Sequence, residues 1–226
     1  MNILAVDTAT ESCSVAFLKD RRLIAEEVYT AGKTHSRHLM AIIEHILDRC
    51  EIAPADLDGI AVTRGPGTFT GLRIGLSTVK GLAAAIAKPV VGVSSLAALA
   101  FPLAWTRTSV VAMIDARRGE IYHARFFGRD RSEPSGKARV SGPEEAAELL
   151  PAGAILAGSG ALLYRDVWES RRPDVRVAPE TAHVIRAASV GMLAMDRFEN
   201  KAADRADVLV PEYIRKSDAQ IHLASC

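Results

Sequence analysis

The chain has 226 residues, of which 49% are hydrophobic and 24% charged, and its formal net charge is +1. This composition is typical of a globular protein with a substantial core, and it gives no global electrostatic reason to expect nucleic-acid or membrane binding. No apolar run reaches the roughly 18 residues that a membrane helix needs. Three scattered cysteines fit neither a disulfide framework nor a zinc site, so we expect a reducing, cytoplasmic location.

The first half of the chain alternates strand and helix patterns. Two short apolar runs around a polar turn predict an antiparallel hairpin at the start, and apolar residues spaced at three and four predict helices further on. The predicted strands are residues 3–6, 13–18, 23–29, 59–63 and 90–93, and the predicted helices are residues 33–50, 72–87 and a third that Ser94 and Ser95 open.

The second half opens with a pattern that mirrors the first. Aligning NILAVDTATESCSVAF with VAMIDARRGEIYHARF superposes Asp7 on Asp115, which indicates a duplicated, two-lobed α/β fold with a mixed sheet in each lobe. We divide the lobes as residues 1–103 and 104–226 and expect the second to be smaller and less regular. After a predicted loop at residues 129–141, we expect helices at residues 143–150, 162–170 and 182–198 and a strand at residues 154–157.

A glycine-rich stretch, Gly65–Gly71, joins the strand at residues 59–63 to the following helix. Helix N-termini favour anions, but this stretch has neither the lysine and hydroxyl of a Walker A loop nor the third glycine of a dinucleotide-binding loop. Two interpretations therefore stay open. It is either a tight turn that lets the helix pack closely, or a phosphate-binding loop that has lost its chemistry.

Asp7 and Asp115 end the two aligned apolar strands, where a nucleotide site would place its acidic residues. Thr8 follows Asp7, and the turn after it has no glycine that would let backbone approach a phosphate. The alternative is that both aspartates cap turns. We predict no resident cofactor, and we keep weak ADP or ATP binding at Asp7, Thr8 and Asp115 as a hypothesis.

His35, His38 and His45 lie on the predicted helix at residues 33–50. The first two are three residues apart and could share a face, but no third ligand is evident, so we predict no metal site.

Several segments together resemble the bacterial TsaB (YeaZ) family. They are ILAVDTATESCSVA, KTHSRHLM, VTRGPGTFTGLRIGLSTVKGLA, PVVGVSSLAALA, IDARRGEIYHARF and a late PEYIR, which span residues 2 to about 215. The resemblance implies an actin-like (ASKHA, ribonuclease H-like) fold. It also implies a role in making threonylcarbamoyladenosine beside the anticodon of tRNAs that read codons beginning with A.

In that family the TsaB protein is a non-catalytic subunit. The resemblance implies pairing with the catalytic paralogue TsaD, a TsaE-type ATPase as a further partner, self-pairing as a homodimer, and contact with tRNA only through the complex. Ser95 and Leu99 stand where TsaD has its two metal-binding histidines, which supports the non-catalytic assignment because leucine cannot bind a metal. The alternative is an enzyme acting alone, either an actin-like small-molecule kinase or a metallopeptidase.

The helices at residues 33–50 and 72–87 are candidates for the partner interface. Their apolar faces either pack into the protein's own core or form one exposed surface for a second subunit. On the second interpretation, a charge at Ile42 or Leu76 would separate the subunits and leave the monomer folded. The predicted contact residues are His35, Leu39, Ile42, Ile43, Ile46, Leu72, Arg73, Gly75, Leu76, Val79 and Lys80, with Gly75 at the closest helix–helix approach.

Overall fold

The computed structural model describes residues 1–30, 35–128 and 133–214, without the side chains of residues 35–37. The strands are β1 (Asn2–Asp7), β2 (Cys13–Lys19), β3 (Arg22–Tyr29), β4 (Gly59–Gly65), β5 (Val90–Ser94), β6 (Val110–Arg117), β7 (Glu120–Phe126), β8 (Arg139–Ser141), β9 (Ile155–Ala157) and β10 (Arg176–Val177). The α-helices are α1 (His35–Arg49), α2 (Phe69–Ile86), α3 (Ser95–Ala100), α4 (Pro143–Glu148), α5 (Ser159–Leu163), α6 (Arg165–Arg171) and α7 (Ala187–Glu199). Single 3₁₀ turns cover Pro54–Asp56, Phe101–Leu103 and Glu180–Ala182.

The strands form two five-stranded sheets with the same topology. The first has the order β3-β2-β1-β4-β5 and the second the order β8-β7-β6-β9-β10. In each sheet, the first three strands of this order pair antiparallel with one another. The last two strands run parallel to the central strand, which is β1 or β6. The internal repeat predicted from the two aspartate-bearing hairpins is therefore confirmed. The second sheet matches the first in strand number, but three of its strands have only two or three residues.

Helices cover both faces of the first sheet. Helices α1 and α2 pack side by side on one face, against alternate residues of β1 and β2 such as Leu4, Val15 and Phe17. Helix α7 packs on the opposite face, where a side chain at Gly191 would lie 2.4 Å from Leu18 Cδ1. Because both faces are covered, β1 reads as a nearly continuous apolar run instead of an alternating one.

The two sheets share one core. Helix α3 contacts β6 of the second sheet as well as β4 and β5, and α7 contacts α3. The resulting cluster joins residues of the first sheet, such as Ala5, to residues of the second, such as Ala112 and Phe126. The division between residues 103 and 104 stays a prediction; helix α7, which belongs to the later segment, packs on the first sheet.

Three predicted elements of the second half were wrong in detail. Arg139–Ser141, expected within a loop, is β8 because it pairs with β7. The helix expected at residues 162–170 is two short helices that meet at Tyr164, whose φ of −113° is not helical. Helix α7 begins at Ala187 and not at residue 182, because Arg186 has an extended backbone with φ −97° and ψ 126°.

The last described segment, residues 203–214, returns along the first sheet. Asp204 bridges to Val90, and its carboxylate accepts a hydrogen bond from the Gly92 N–H at 2.8 Å. Leu209 is buried against the α1–α2 side, and the Glu212 N–H donates to the Arg64 carbonyl at 2.7 Å. The segment therefore ends beside the start of α2. Among the described helices, none combines the length and apolar character that a bilayer crossing requires.

Candidate functional site: the two hairpin turns and the cleft between them

The glycine-rich stretch packs directly on the turn that follows β1. The Thr68 N–H donates to the Ala9 carbonyl at 2.7 Å, and the Thr8 hydroxyl donates to the Gly71 carbonyl at 2.7 Å. Thr68 also caps α2, because its side chain accepts from the Gly71 N–H at 3.2 Å. The protein's own turn occupies the place beside this helix start, which favours the tight-turn interpretation over a phosphate-binding loop.

Glycines are required in this stretch by close packing. A Cβ at Gly71 would lie 2.1 Å from the Thr8 carbonyl oxygen, and one at Gly75 would lie 2.3 Å from the Thr8 hydroxyl oxygen. The prediction that Gly75 marks a close approach between helices is corrected, because Gly75 faces the β1–β2 turn of the same chain.

This packing predicts opposite effects for two glycine-to-alanine substitutions in α2. Gly71→Ala should lower the free energy of unfolding by about 1–3 kcal/mol, because backbone must move to admit the methyl group. Gly81→Ala should raise it by about 0.5–1 kcal/mol, because a Cβ there meets nothing within 4 Å and alanine favours helix. Urea denaturation of both variants measures the two effects, and equal values would refute the packing argument.

Asp7 is fully buried at the end of β1. Its Oδ1 accepts hydrogen bonds from the Thr63 hydroxyl at 2.7 Å and the Ala9 N–H at 3.1 Å, while its Oδ2 has no partner among the described residues. Burial raises the pKa of Asp7 from 3.8 to about 7, although the bonds from Thr63 and Ala9 oppose the shift. Asp7 and Thr8 are both buried and do not line the cleft described next, so the hypothesis of nucleotide contact at these two residues is corrected.

A cleft of about 310 Å³ lies between the two hairpin turns. Of the three candidate nucleotide-site residues, Asp7, Thr8 and Asp115, only Asp115 lines this cleft. Arg117 links the turns, because its guanidinium lies 2.6 Å from a Glu11 carboxylate oxygen and 3.2 Å from one of Asp115. The lining residues are Thr10, Glu11, Ser12, Thr30, Thr68, Ile114, Asp115, Arg117, Ser159, Leu163, His183 and Val184.

Ser159, His183 and Asp115 line the same cleft, yet they do not form a catalytic triad. The Gly158 N–H donates to His183 Nδ1 at 3.0 Å, and His183 Nε2 lies 2.8 Å from the Ala178 carbonyl oxygen. Both ring nitrogens are therefore used by backbone groups, and neither can take a proton from Ser159. Arg117, Ser159 and His183 were not predicted from the sequence as site residues. Of these three residues, only Arg117 had a signal in the sequence, because it lies in the polar turn that follows Asp115.

The positions expected to replace metal ligands are buried. Ser95 is fully buried, and Leu99 packs so closely that its Cδ2 would lie 2.4 Å from a Cβ at Gly158. Of the three histidines, His38 stacks on Tyr29 and His45 pairs with Glu27, whereas the His35 side chain lies outside the described residues. Within the described ranges, no three histidine, cysteine or acidic side chains are grouped to hold a metal.

The apolar residues proposed for the partner interface face the protein's own core. Each is at most 4% exposed and packs in one of the two clusters of the first sheet, because the apolar stripe of each helix covers that sheet. The prediction that these residues form surface contacts is therefore wrong. They are Leu39, Ile42, Ile43, Ile46, Leu72, Leu76 and Val79.

Two predicted interface residues do reach the outer surface of α2. Arg73 is exposed, and its guanidinium lies 3.6 Å above the Phe69 ring. Lys80 is partly exposed and donates to the Leu209 carbonyl at 3.2 Å. Phe69 stacks on Tyr213 with ring centroids 5.6 Å apart, so the returning segment completes this surface. Phe69 and Tyr213 were not predicted from the sequence as surface contacts.

Comparison with known proteins gives consistent relatives. Residues 28–223 match the family described as TsaD: tRNA N6-adenosine threonylcarbamoyltransferase. The chain is 31% identical to the tRNA threonylcarbamoyladenosine biosynthesis protein TsaB of Haemophilus influenzae, over 85% of this chain and 87% of that protein. It is 40% identical to the Escherichia coli protein of the same name, but that match spans only 56% of this chain and 55% of the relative.

Solved structures agree with the fold. YeaZ from Pseudomonas aeruginosa superposes with a TM-score of 0.82 at 31% identity, over 94% of this chain and 99% of that one. An activator of 2-hydroxyisocaproyl-CoA dehydratase from Clostridium difficile, with bound ADPNP, superposes with a TM-score of 0.54 at 10% identity, over 89% of this chain and 97% of that one. The second likeness bears on the fold alone, and the predicted actin-like fold is confirmed.

Proposed function

We propose that this chain, which belongs to the TsaB family of tRNA threonylcarbamoyladenosine biosynthesis proteins, is a non-catalytic subunit. It would pair with a TsaD-type threonylcarbamoyltransferase and activate that enzyme. Membership of the family supports a role in that biosynthesis. The observation that carries the finer proposal is the outer surface of α2, which has the shape of a helix-docking face.

This docking face is narrow and made of small residues. Ser77, Gly81 and Ala85 are exposed and follow each other at intervals of four, so they form one row along the helix, which the exposed Arg73 precedes by one turn. Small side chains at the row let a partner helix approach closely. At one end, the exposed rings of Phe69 and Tyr213 offer an aromatic anchor of the kind that dominates interface energies.

The surroundings of the candidate catalytic groups support a non-catalytic role. Asp7 is enclosed by protein, Leu99 has no ligating atom, and both nitrogens of His183 are engaged by backbone. A kinase or metallopeptidase acting alone would need groups of this kind free to meet a substrate. Both alternatives are therefore less well supported than the subunit role.

Ser77→Arg is the variant that tests the docking face. A long charged side chain in this row should hold the partner helix away. We expect binding to the TsaD-type protein of the same organism to weaken by at least about 30-fold, the effect of one interface hot spot. Sedimentation of the mixed proteins measures complex formation, and threonylcarbamoyladenosine in tRNA measures activity.

The matched control is Ser170→Arg, which changes an exposed serine on helix α6. It should leave both complex formation and tRNA modification unchanged. If Ser77→Arg binds the partner as tightly as the parent, the docking face lies elsewhere. If the parent chain neither binds the TsaD-type protein nor raises its activity, the subunit role itself fails.

The remaining assignments are proposals that rest on family membership. Self-pairing would use the same face, so homodimer and heterodimer would compete for it. A TsaE-type ATPase would join the pair, tRNA would be reached through the complex, and the chain would work in the cytoplasm. We propose no resident cofactor, and we now place weak ADP or ATP binding at the Asp115 side of the cleft, because Asp7 and Thr8 are buried.

A further inference from the structure

One end of the second sheet carries a row of cations that no helix covers. Helices α4 and α6 and their neighbours cover the face of this sheet that holds Val111, Met113 and Ile121. Arg125 belongs to the same face, because side chains alternate along β7 and residue 125 is an even number of positions from Ile121. Unlike Ile121, Arg125 is exposed, so the covering layer stops before it.

Strand pairing brings further cations to this end. Arg125 Nε donates to the Ser109 hydroxyl at 3.1 Å on one side, and the Arg125 carbonyl accepts from the Ser135 N–H at 2.7 Å on the other. Arg139, on the neighbouring strand β8, pairs with His123 of β7, and its charge is the second cause, after burial, that lowers the pKa of His123. Lys137 precedes β8 by two residues and is exposed.

These cations keep their charge available. Within residues 1–30, 35–128 and 133–214, no carboxylate lies within salt-bridge distance of Arg107, Arg125, Lys137 or Arg139. Most other arginines in the same ranges do have such a partner, as Arg172 has Asp174 at 2.9 Å. The unbalanced charge is local, since the whole chain has a net charge of only +1.

Two large aromatic side chains stand at the same end. Phe127 is 56% exposed and directly follows β7, while Trp105 is 80% exposed and lies four residues before Ser109. Trp105 is the most exposed of the large hydrophobic side chains described. Exposed aromatic rings among unpaired arginines are typical of surfaces on which unpaired nucleic-acid bases stack.

We infer that this end of the second sheet is a contact surface for single-stranded or loop RNA. We call it the rim surface, and it consists of Trp105, Arg107, Arg125, Phe127, Lys137 and Arg139. The aromatic rings would stack on unpaired bases, and the cations would contact phosphates. The inference rests on the proposed role in tRNA modification, and it adds a direct contact to the indirect one expected from the sequence.

Tryptophan fluorescence of the full chain tests the stacking directly. The chain has two tryptophans, and Trp168 is fully buried with its Nε1 donating to the Ala161 carbonyl, so a change in emission on ligand binding reports Trp105. Titration with single-stranded oligoadenylate should quench the emission of the parent chain. Trp105→Phe should remove the quenching, and heparin, which has charge but no bases, should not cause it.

Charge reversal tests the phosphate contacts. Arg107→Glu combined with Arg139→Glu should weaken oligoadenylate binding at least about tenfold. It should also reduce the slope of log K against log salt concentration by roughly 1.4, which corresponds to two lost phosphate contacts. The control is Arg22→Glu combined with Arg49→Glu, which reverses the same number of charges at exposed positions on β3 and α1, at the first sheet, and should change binding much less.

Three outcomes would overturn the inference. Unchanged Trp105 emission at saturating oligoadenylate would exclude stacking, and equal loss of affinity in both charge-reversed variants would show general electrostatic attraction only. If the variant with Arg107→Glu and Arg139→Glu binds oligoadenylate normally but no longer binds a protein partner, the rim surface is a protein interface and not an RNA contact. Complex formation with the TsaD-type protein, tested separately by Ser77→Arg, reports on the proposed function, so the two can fail independently.

Discussion

Leu76→Arg is expected to unfold the monomer. Leu76 is 3% exposed and packs between α2 and the first sheet, so the substitution would place a charge without a partner in the core. Burial of an uncompensated charge costs more than about 4 kcal/mol, which is a large part of the 5–15 kcal/mol that stabilises a typical domain. Circular dichroism and urea denaturation should show loss of the cooperative transition.

The neighbouring residue provides the control for this expectation. Ser77→Arg makes the same side chain one position further along α2, on the exposed side, and should leave the transition within about 0.5 kcal/mol of the parent. A folded Leu76→Arg monomer would mean that the α1–α2 faces are free surfaces, as the interface interpretation of the sequence required. The structure predicts the opposite, and the same reasoning applies to Ile42→Glu.

Asp7→Asn is expected to stabilise the protein, with an effect that grows with pH. The pKa of Asp7 is raised to about 7 in the folded chain against 3.8 ordinarily, so the folded state binds this proton more tightly than the unfolded state does. Its contribution to stability is complete below about pH 4 and is lost as the pH rises toward 7. The full loss, about three pKa units, is on the order of 4 kcal/mol.

Asparagine removes this dependence because it cannot ionise, and its Oδ1 can still accept the bonds from Thr63 and Ala9. Free energies of unfolding of parent and variant, measured between pH 4 and 8, should therefore diverge as the pH rises. Asp48→Asn, on the exposed side of α1, controls for general loss of a negative charge. A constant difference between Asp7→Asn and parent across this range would contradict the raised pKa.

Strong periodic patterns predicted the fold well. The two hairpins, α1, α2 and the duplication followed from apolar spacing and from the aspartate after each opening strand. Strand β8 could not be found in this way, because three residues carry no periodic signal and become a strand only through pairing with β7. The break at Tyr164 likewise depends on local backbone geometry that the pattern of side chains does not report.

The candidate site was predicted less completely, for two physical reasons. An apolar helix face looks the same whether it covers the protein's own sheet or a partner, so the sequence could not exclude Ile43 or Val79 as contacts. An aspartate at a strand end can also point into the core or into a cleft. Asp7 and Asp115 occupy equivalent positions in the repeat and differ in this respect, and only the packing around each distinguishes them.

The shared core has a consequence for the motions open to the protein. Helix α3 contacts strands of both sheets, and α7 packs against α3 and the first sheet, so one apolar cluster joins the two halves. Opening the halves about a hinge would expose this apolar cluster to water, at roughly 25 cal/mol for each Å² uncovered. The halves should therefore move as one rigid body, with adaptability confined to the turns. A partner that binds α2 would then meet a preformed template, and little of its binding energy would be lost to ordering this chain.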